Sequence, residues 1–321
     1  MLACSAAVPP AVKLLYIAGA PRSGSTMLER LLGDQETLVA AGELRRIWSR
    51  GFIANELCSC GQPFRSCPYW GEVLDAAFGG VDGVDAGPAA SAVDFDARPA
   101  RWREVARRVL PATARNGPDL LAEILPPLYR GILSVSGASA VIDSSKDTTY
   151  GLVLSALEDL EVRVVHLVRD SRAVAYSWQR KRRRPEIVDR EEYMPVARPT
   201  STAVGWTMRN MTAEGLRLFA DSYVRLRYED LVADPDGAIS RIVGPLADGQ
   251  AGDEAREARE ARSSAGYHTV SGNPMRLAKG PLKVSADVEW KAALPPRDRA
   301  TVTALSLPLL LRYGYPPVLN S

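Results

Sequence analysis

The apolar positions of this chain fall into short runs separated by longer amphipathic stretches. Leu14 to Ala18 is uniformly apolar and of strand length, which predicts a buried strand. After a glycine-bearing loop, Met27, Leu28, Leu31 and Leu32 recur at helical spacing. Thr37 to Ala41 predicts a second short strand and Ala140 to Ile142 a third. Val162 to Val168 is the clearest core strand, and Tyr223 to Tyr228 alternates as a strand does. Helical patterns lie between them: Thr148 to about Leu160, Ser171 to Trp178 with Ser171 as N-cap, a stretch holding Trp206 and Met211 up to about Ala220, and Pro235 to about Leu246. A last one, Arg297 to Tyr313, is leucine-rich and amphipathic. Strands alternating with helices predict an α/β fold with a central, mainly parallel sheet.

The rest of the chain decorates that alternation. Residues 79–100 are rich in Gly, Ala, Asp and Pro and read as a flexible surface connection. Residues 101–135 look helical, interrupted near Asn116-Gly117-Pro118 and at Pro126-Pro127. Residues 254–262 form a charged, solvated helix with offset ion pairs. We expect a disordered N-terminus over residues 1–12 and then a single domain, 13–321. Insertions around 44–135 and 179–205 would shape the pocket for an acceptor. No internal repeat is evident.

The loop after the first strand carries the chemistry. Gly19-Ala-Pro-Arg-Ser-Gly24-Ser25-Thr26 runs from strand end to helix start. Unpaired backbone N–H groups and the helix dipole both favour an anion there. Gly24 lets the backbone come close, Ser23, Ser25 and Thr26 add hydroxyl donors, and Arg22 adds a planar cation suited to forked oxyanion contacts. The spacing is that of a Walker A loop, so the fold expected is a P-loop-like three-layer domain with helical insertions. Ser25 stands where the Walker lysine would be. That lysine handles the β- and γ-phosphates of a nucleoside triphosphate, so its absence counts against ATP or GTP hydrolysis, and Arg22 takes over the cationic role.

Composition narrows the class. In 321 residues, 46% hydrophobic and 24% charged, the formal net charge is +2, so no global field points to nucleic acid. No apolar run approaches the roughly 20 residues of a membrane span. The first ten residues lack a basic n-region, so a cytoplasmic enzyme is expected. Cys4, Cys58, Cys60 and Cys67 are the only cysteines, and the two histidines, His166 and His268, are far from the Cys58–Cys67 stretch. A zinc site would need a fourth ligand. The expectation is a small tight loop with buried thiols and no metal.

Polar groups collect at the other strand ends. Glu43 follows the second strand, at the edge where such sheets bind ligands, and is a candidate general base beside the plainer reading of a capping glutamate. Asp143-Ser-Ser-Lys146-Asp147 follows the third strand. His166 reads as a packed core histidine. Arg169 comes straight off the core strand, with Ser177 on the next helix. Arg180-Lys-Arg-Arg-Arg184 reads as a solvated segment, the alternative being a lid that attracts polyanions. Late in the chain, Gly272-Asn-Pro-Met-Arg276 and Lys279-Gly280 form a turn-rich basic segment able to fold over a bound nucleotide.

In this order, from Leu14 to Tyr315, these pieces resemble the sulfotransferases that use 3′-phosphoadenosine 5′-phosphosulfate (PAPS), in particular the bacterial small-molecule and carbohydrate-type branch. The resemblance implies that Arg22 to Thr26 form the 5′-phosphosulfate loop and that Arg169 and Ser177, eight residues apart, hold the 3′-phosphate. Tyr228-Glu229-Asp230 is similar to the family's YED element. Arg276 with Lys279-Gly280 is similar to the segment that closes on the 3′-phosphate. Members acting on phenols and steroids use a histidine base near mid-chain, where this chain has Asp143 to Asp147. The carbohydrate-type branch uses a glutamate after the second strand, which points to Glu43, with Lys146 assisting at the transferring group and His268 as a rival base. The resemblance implies PAPS as co-substrate, no metal, and a small-molecule hydroxyl acceptor of natural-product or glycoside type. It implies neither nucleic acid nor a membrane span. A P-loop kinase using Mg-ATP and a non-catalytic nucleotide-binding module remain the alternatives.

Overall fold

The computed structural model describes residues 10–93, 119–246, 267–278, 280, 282 and 284–317. Five parallel strands form its sheet: β1 Val12–Ala18, β2 Leu38–Ala40, β3 Ala140–Lys146, β4 Leu160–Val168 and β5 Ser222–Arg227, in the order β2-β3-β1-β4-β5. Successive side chains of a strand point to opposite faces. Leu14 and Tyr16 therefore enter one core and Leu15 and Ile17 the other. That arrangement puts helices on both faces of β1, the three-layer architecture expected of a parallel sheet.

The helices among the described residues are α1 Ser25–Gly33, α2 Pro68–Phe78, α3 Ala86–Val93, α4 Leu120–Ser136, α5 Thr148–Ser155, α6 Ser171–Gln179, α7 Pro199–Gly215, α8 Tyr228–Ala233, α9 Pro235–Val243, α10 Trp290–Ala293 and α11 Pro296–Arg312. None is long and apolar enough to cross a membrane.

Several elements depart from the sequence reading for identifiable reasons. Residues 86–93 are helical rather than a connection, since Ala89, Ala90 and Val93 bury against the first core. Pro126 and Pro127 lie inside α4 without ending it. The ladder bonds they remove are outweighed by burial of Leu121, Ile124, Leu125, Leu128, Tyr129 and Ile132 on one face. β3 continues through its polar end because each polar group finds a partner. Tyr129 donates to Asp143 at 2.7 Å, and Ser144 to Glu29 at 2.9 Å. The N-cap of α6 is Asp170, whose side chain accepts from the Arg172 amide, while the Ser171 hydroxyl pairs with Ser306 at 2.7 Å. α5 stops at Ser155, and α7 at Gly215. The charged helix at 254–262, the Asn116-Gly117-Pro118 break, Cys4, Lys279 and residues 1–9 lie outside the described residues.

Candidate active site

The carboxyl ends of β1, β3 and β4 open into one cleft of about 320 Å³, within the range of small-molecule sites. Its floor is the loop between β1 and α1. Arg22 and Gly24 both adopt positive φ, 70° and 96°. At Gly24 an added Cβ would meet the Tyr228 ring at 2.6 Å, so only glycine fits between the loop and Tyr228. Gly24, Ser25 and Thr26 line the cleft at the N-terminus of α1, where the dipole favours an anion. Ser23 is buried behind them, its hydroxyl without a partner.

Cations crowd the cleft. Arg22, Arg50, Lys146, Arg169 and Arg182 line it, against the carboxylates of Glu43 and Asp287. The Arg22 guanidinium stacks 4.9 Å from the Trp178 ring, and both its terminal nitrogens are buried without a hydrogen-bond partner. Burial, and then the charge of Arg182, lower Arg22 to about 10. Buried donors lacking acceptors are costly. An anion in the cleft would satisfy them and relieve the repulsion between the two guanidiniums. Arg169 lies 4.4 Å over the Tyr228 ring, pairs with Asp287 at 3.0 Å and leaves its Nε unpaired. Ser177, on α6, lines the same space.

Glu43 and Lys146 face each other across the cleft's inner wall. The Lys146 ammonium donates to Glu43 Oε1 at 2.6 Å and to the Ser144 carbonyl at 2.5 Å. Burial pushes the Glu43 carboxyl up, but the charge and hydrogen bond of Lys146, with Arg50 and Arg46 beyond, outweigh it and hold Glu43 below the usual range. Glu43 is therefore ionised at neutral pH. Its backbone is pinned by the strand-like contact between Gly42 and Val270, and the Glu43 amide donates to the Val270 carbonyl at 2.8 Å. Gly42 has φ 85°, and a Cβ there would lie 2.2 Å from the Val270 oxygen. Behind this wall sits Glu29, fully buried on α1. It accepts from the Gly42 amide at 2.6 Å and from Ser144 at 2.9 Å. Burial raises Glu29 to about 7, against the lowering effects of those two bonds and of Lys146. One buried carboxyl thus ties together the residues preceding Glu43 and Lys146.

The structure brings Arg22, Gly24, Ser25, Thr26, Glu43, Lys146, Arg169, Ser177 and Tyr228 to this single cleft. It separates others. Arg276 does not line the cleft: it is buried, its terminal nitrogens donating to the carbonyls of Thr269 at 3.0 Å and Leu57 at 2.7 Å. Gly280 is exposed and its carbonyl accepts from Arg30 at 2.8 Å. Gly272, Asn273 and Met275 are the members of that late segment that reach the cleft. His268 is stacked on Tyr69 at 4.7 Å and its Nδ1 lies 3.2 Å from the Cys67 sulfur, which takes it away from a base role in the cleft. His166 is a core histidine, bonded to Asn210 and Tyr223, and burial lowers it to about 4.

The basic run is not uniformly solvated. Arg184 is enclosed by Glu56, Glu186 and Glu192, Arg180 pairs with Glu289, and Arg182 lines the cleft. Arg50, Arg182, Asp287 and Glu29 are the site residues that sequence reasoning missed. Arg182 was hidden by its cationic neighbours, and Arg50 comes from a π-helical turn, Ile47–Ile53, that no periodicity announces.

The chain superposes on a sulfotransferase domain from the Synechococcus PCC 7002 olefin synthase with a TM-score of 0.53, over 97% of both chains and at 20% identity. The sulfotransferase domain from the curacin biosynthetic pathway aligns over 96% of this chain and 99% of its own, at 16% identity and a TM-score of 0.49. No protein-family profile matches the sequence, and neither does any curated protein.

Proposed function

We propose, taking the fold of a sulfotransferase domain as the premise, that this chain moves a sulfuryl group from PAPS to the hydroxyl of a small-molecule or glycoside acceptor, with Glu43 as general base. The observation that carries this reading is the pair of buried, unpartnered Arg22 nitrogens facing the same cleft as Arg169 and Ser177. A loop that cradles one anion and a separate arginine–serine pair for another suit a nucleotide phosphorylated at both ends of its ribose. ATP lacks the second of these groups.

PAPS supplies a sulfuryl group on a 5′-phosphate leaving group. In the proposed reaction the acceptor oxygen bonds to sulfur as the bond from sulfur to the 5′-phosphate oxygen breaks, and the acceptor proton passes to Glu43. Its ionised state suits it to accept a proton at neutral pH, and base catalysis of this kind contributes roughly 10²–10⁴-fold. Arg22, Ser25, Thr26 and the loop amides neutralise charge gathering on the 5′-phosphate side. Lys146, held between Glu43 and the Ser144 carbonyl, stands ready to neutralise the transferring oxygens. Arg169, Ser177 and Arg182 hold the 3′-phosphate, Arg182 replacing Arg276 in that role. The described parts of the two insertions at 44–135 and 179–205 form the acceptor pocket, a reading supported by Arg50 from one and Met194 from the other along the cleft. Natural-product hydroxyls are the first acceptors to screen.

The test is transfer of labelled sulfate from PAPS to a panel of hydroxylated metabolites, without added metal. Product formation that Glu43→Gln abolishes supports the assignment. Labelled phosphate transfer from Mg-ATP instead would identify a kinase. Nucleotide binding with no transfer to any acceptor would favour a binding module.

A further inference from the structure

Far along the chain from the loop cysteines, His268 folds back onto them. Cys58, Cys60, Cys67 and His268 each present one ligand atom, and the four atoms all lie within 4.8 Å of one another. We propose that these four side chains bind one zinc ion in a closed, tetrahedral Cys₃His site. The proposal is independent of the donor and acceptor assigned above.

Geometry is the first argument. With Zn–S near 2.3 Å and Zn–N near 2.0–2.1 Å, a tetrahedron has S···S edges of about 3.8 Å and S···N edges of about 3.6 Å. The Cys60 and Cys67 sulfurs are 3.7 Å apart. Nδ1 of His268 is 3.7 Å from the Cys58 sulfur and 3.2 Å from that of Cys67. A disulfide needs about 2.05 Å, and the three thiols are free. Each of the three sulfurs and the nitrogen lies within 4.8 Å of the other three, close enough to share one ion.

Preorganisation is the second argument. Cys58 opens, and Cys60 lies within, a tight turn in which the Gly61 amide donates to the Cys58 carbonyl at 2.9 Å, and Cys67 is the N-cap of α2. That helix end favours a thiolate. The histidine arrives by a clamp on both of its neighbours: the Ser59 hydroxyl donates to the Tyr267 carbonyl at 2.5 Å and accepts from the Thr269 amide at 2.6 Å. Arg276, the residue displaced from the nucleotide cleft, bonds the carbonyls of Leu57 and Thr269, next to Cys58 and His268. Its charge also suits a centre in which three thiolates around a divalent ion leave one net negative charge. Outer contacts of this kind fix ligand orientation in metal sites. The ion would staple the loop at 58–67 to the segment that runs on through Val270 alongside Glu43.

Metal analysis of the intact protein, purified without chelator, tests this. We expect close to one zinc per chain by mass spectrometry. Cobalt replacing it should give the intense visible bands of tetrahedral thiolate coordination. Removing the metal should accelerate amide exchange across residues 267–272 and at Glu43. Cys67→Ala should lose the metal, and should it fail to fold, the native protein's zinc content and cobalt spectrum still decide. Protein with no bound zinc that also fails to take up zinc or cobalt after thiol reduction would overturn the proposal. So would a Cys60–Cys67 disulfide in the active protein, or cobalt bound without thiolate bands.

Discussion

Replacing Arg169 by alanine separates the two ends of the nucleotide experimentally. The residue is 5% exposed, contacts Tyr228 and Asp287, and keeps one nitrogen without a partner. A charge-assisted hydrogen bond contributes roughly 1.5–3 kcal/mol. Losing one to the 3′-phosphate therefore weakens binding roughly 10- to 150-fold. The variant also frees the Asp287 carboxylate, which then repels the same phosphate, so the upper part of that range is expected. Titration calorimetry with adenosine 3′,5′-bisphosphate and with adenosine 5′-monophosphate distinguishes this local effect from general damage. The bisphosphate should lose its full factor, while the monophosphate, which never uses Arg169, should change less than about threefold, or roughly 0.6 kcal/mol. Arg276→Ala is the internal contrast: it should lower the unfolding temperature and leave bisphosphate affinity nearly intact. Equal losses for the two nucleotides, or no loss for either, would refute the assignment of Arg169 to the 3′-phosphate.

Two further predictions concern the inner wall. Glu43→Gln should leave bisphosphate affinity near normal in calorimetry while lowering kcat roughly 10²–10⁴-fold. Because its neighbours hold Glu43 below the usual range, the wild-type rate should persist to pH values below about 4.5 before this group limits it. Undiminished turnover in the variant would move the base elsewhere. Glu29 is raised from 4.5 to about 7 by burial, so the folded state holds that proton more tightly than the unfolded chain. Its contribution is complete below about pH 4.5 and is lost as pH rises through about 7. Between pH 5 and 8 the wild type should lose about 2–3 kcal/mol through this group. Glu29→Gln should remove that slope, as read by denaturant midpoints at the two pH values; an unchanged slope would contradict it.

The parts of the candidate site written locally were legible in the sequence as neighbours on one sheet edge. Strand, loop and helix from Leu14 to Leu32 form one contiguous signal, and Arg169 and Ser177 sit one helix apart on the same strand end. Asp143 to Lys146 looked like a polar break after a strand, yet their partners, Tyr129 and Glu29, come from α4 and α1. Tertiary satisfaction of polar groups extended β3 where local pattern ended it. The late segment failed differently. Arg276 has the right charge and neighbours for a phosphate clamp, but it follows a histidine drawn to the cysteine loop, and its guanidinium serves the two carbonyls beside that junction. No spacing rule links His268 to Cys58 across such a sequence gap. Tertiary contacts bring them together, the Ser59 hydroxyl bonding both neighbours of His268 and Val270 pairing with Gly42.

The most direct test of the nucleotide assignment is a crystal structure with adenosine 3′,5′-bisphosphate. The 5′-phosphate should lie on the amides of Gly24 to Thr26 with Arg22 bonded to it, and the 3′-phosphate should contact Arg169 and Ser177 in the same cleft. A nucleotide bound in a different cavity, or one whose 3′-phosphate points to solvent away from Arg169, would contradict the account.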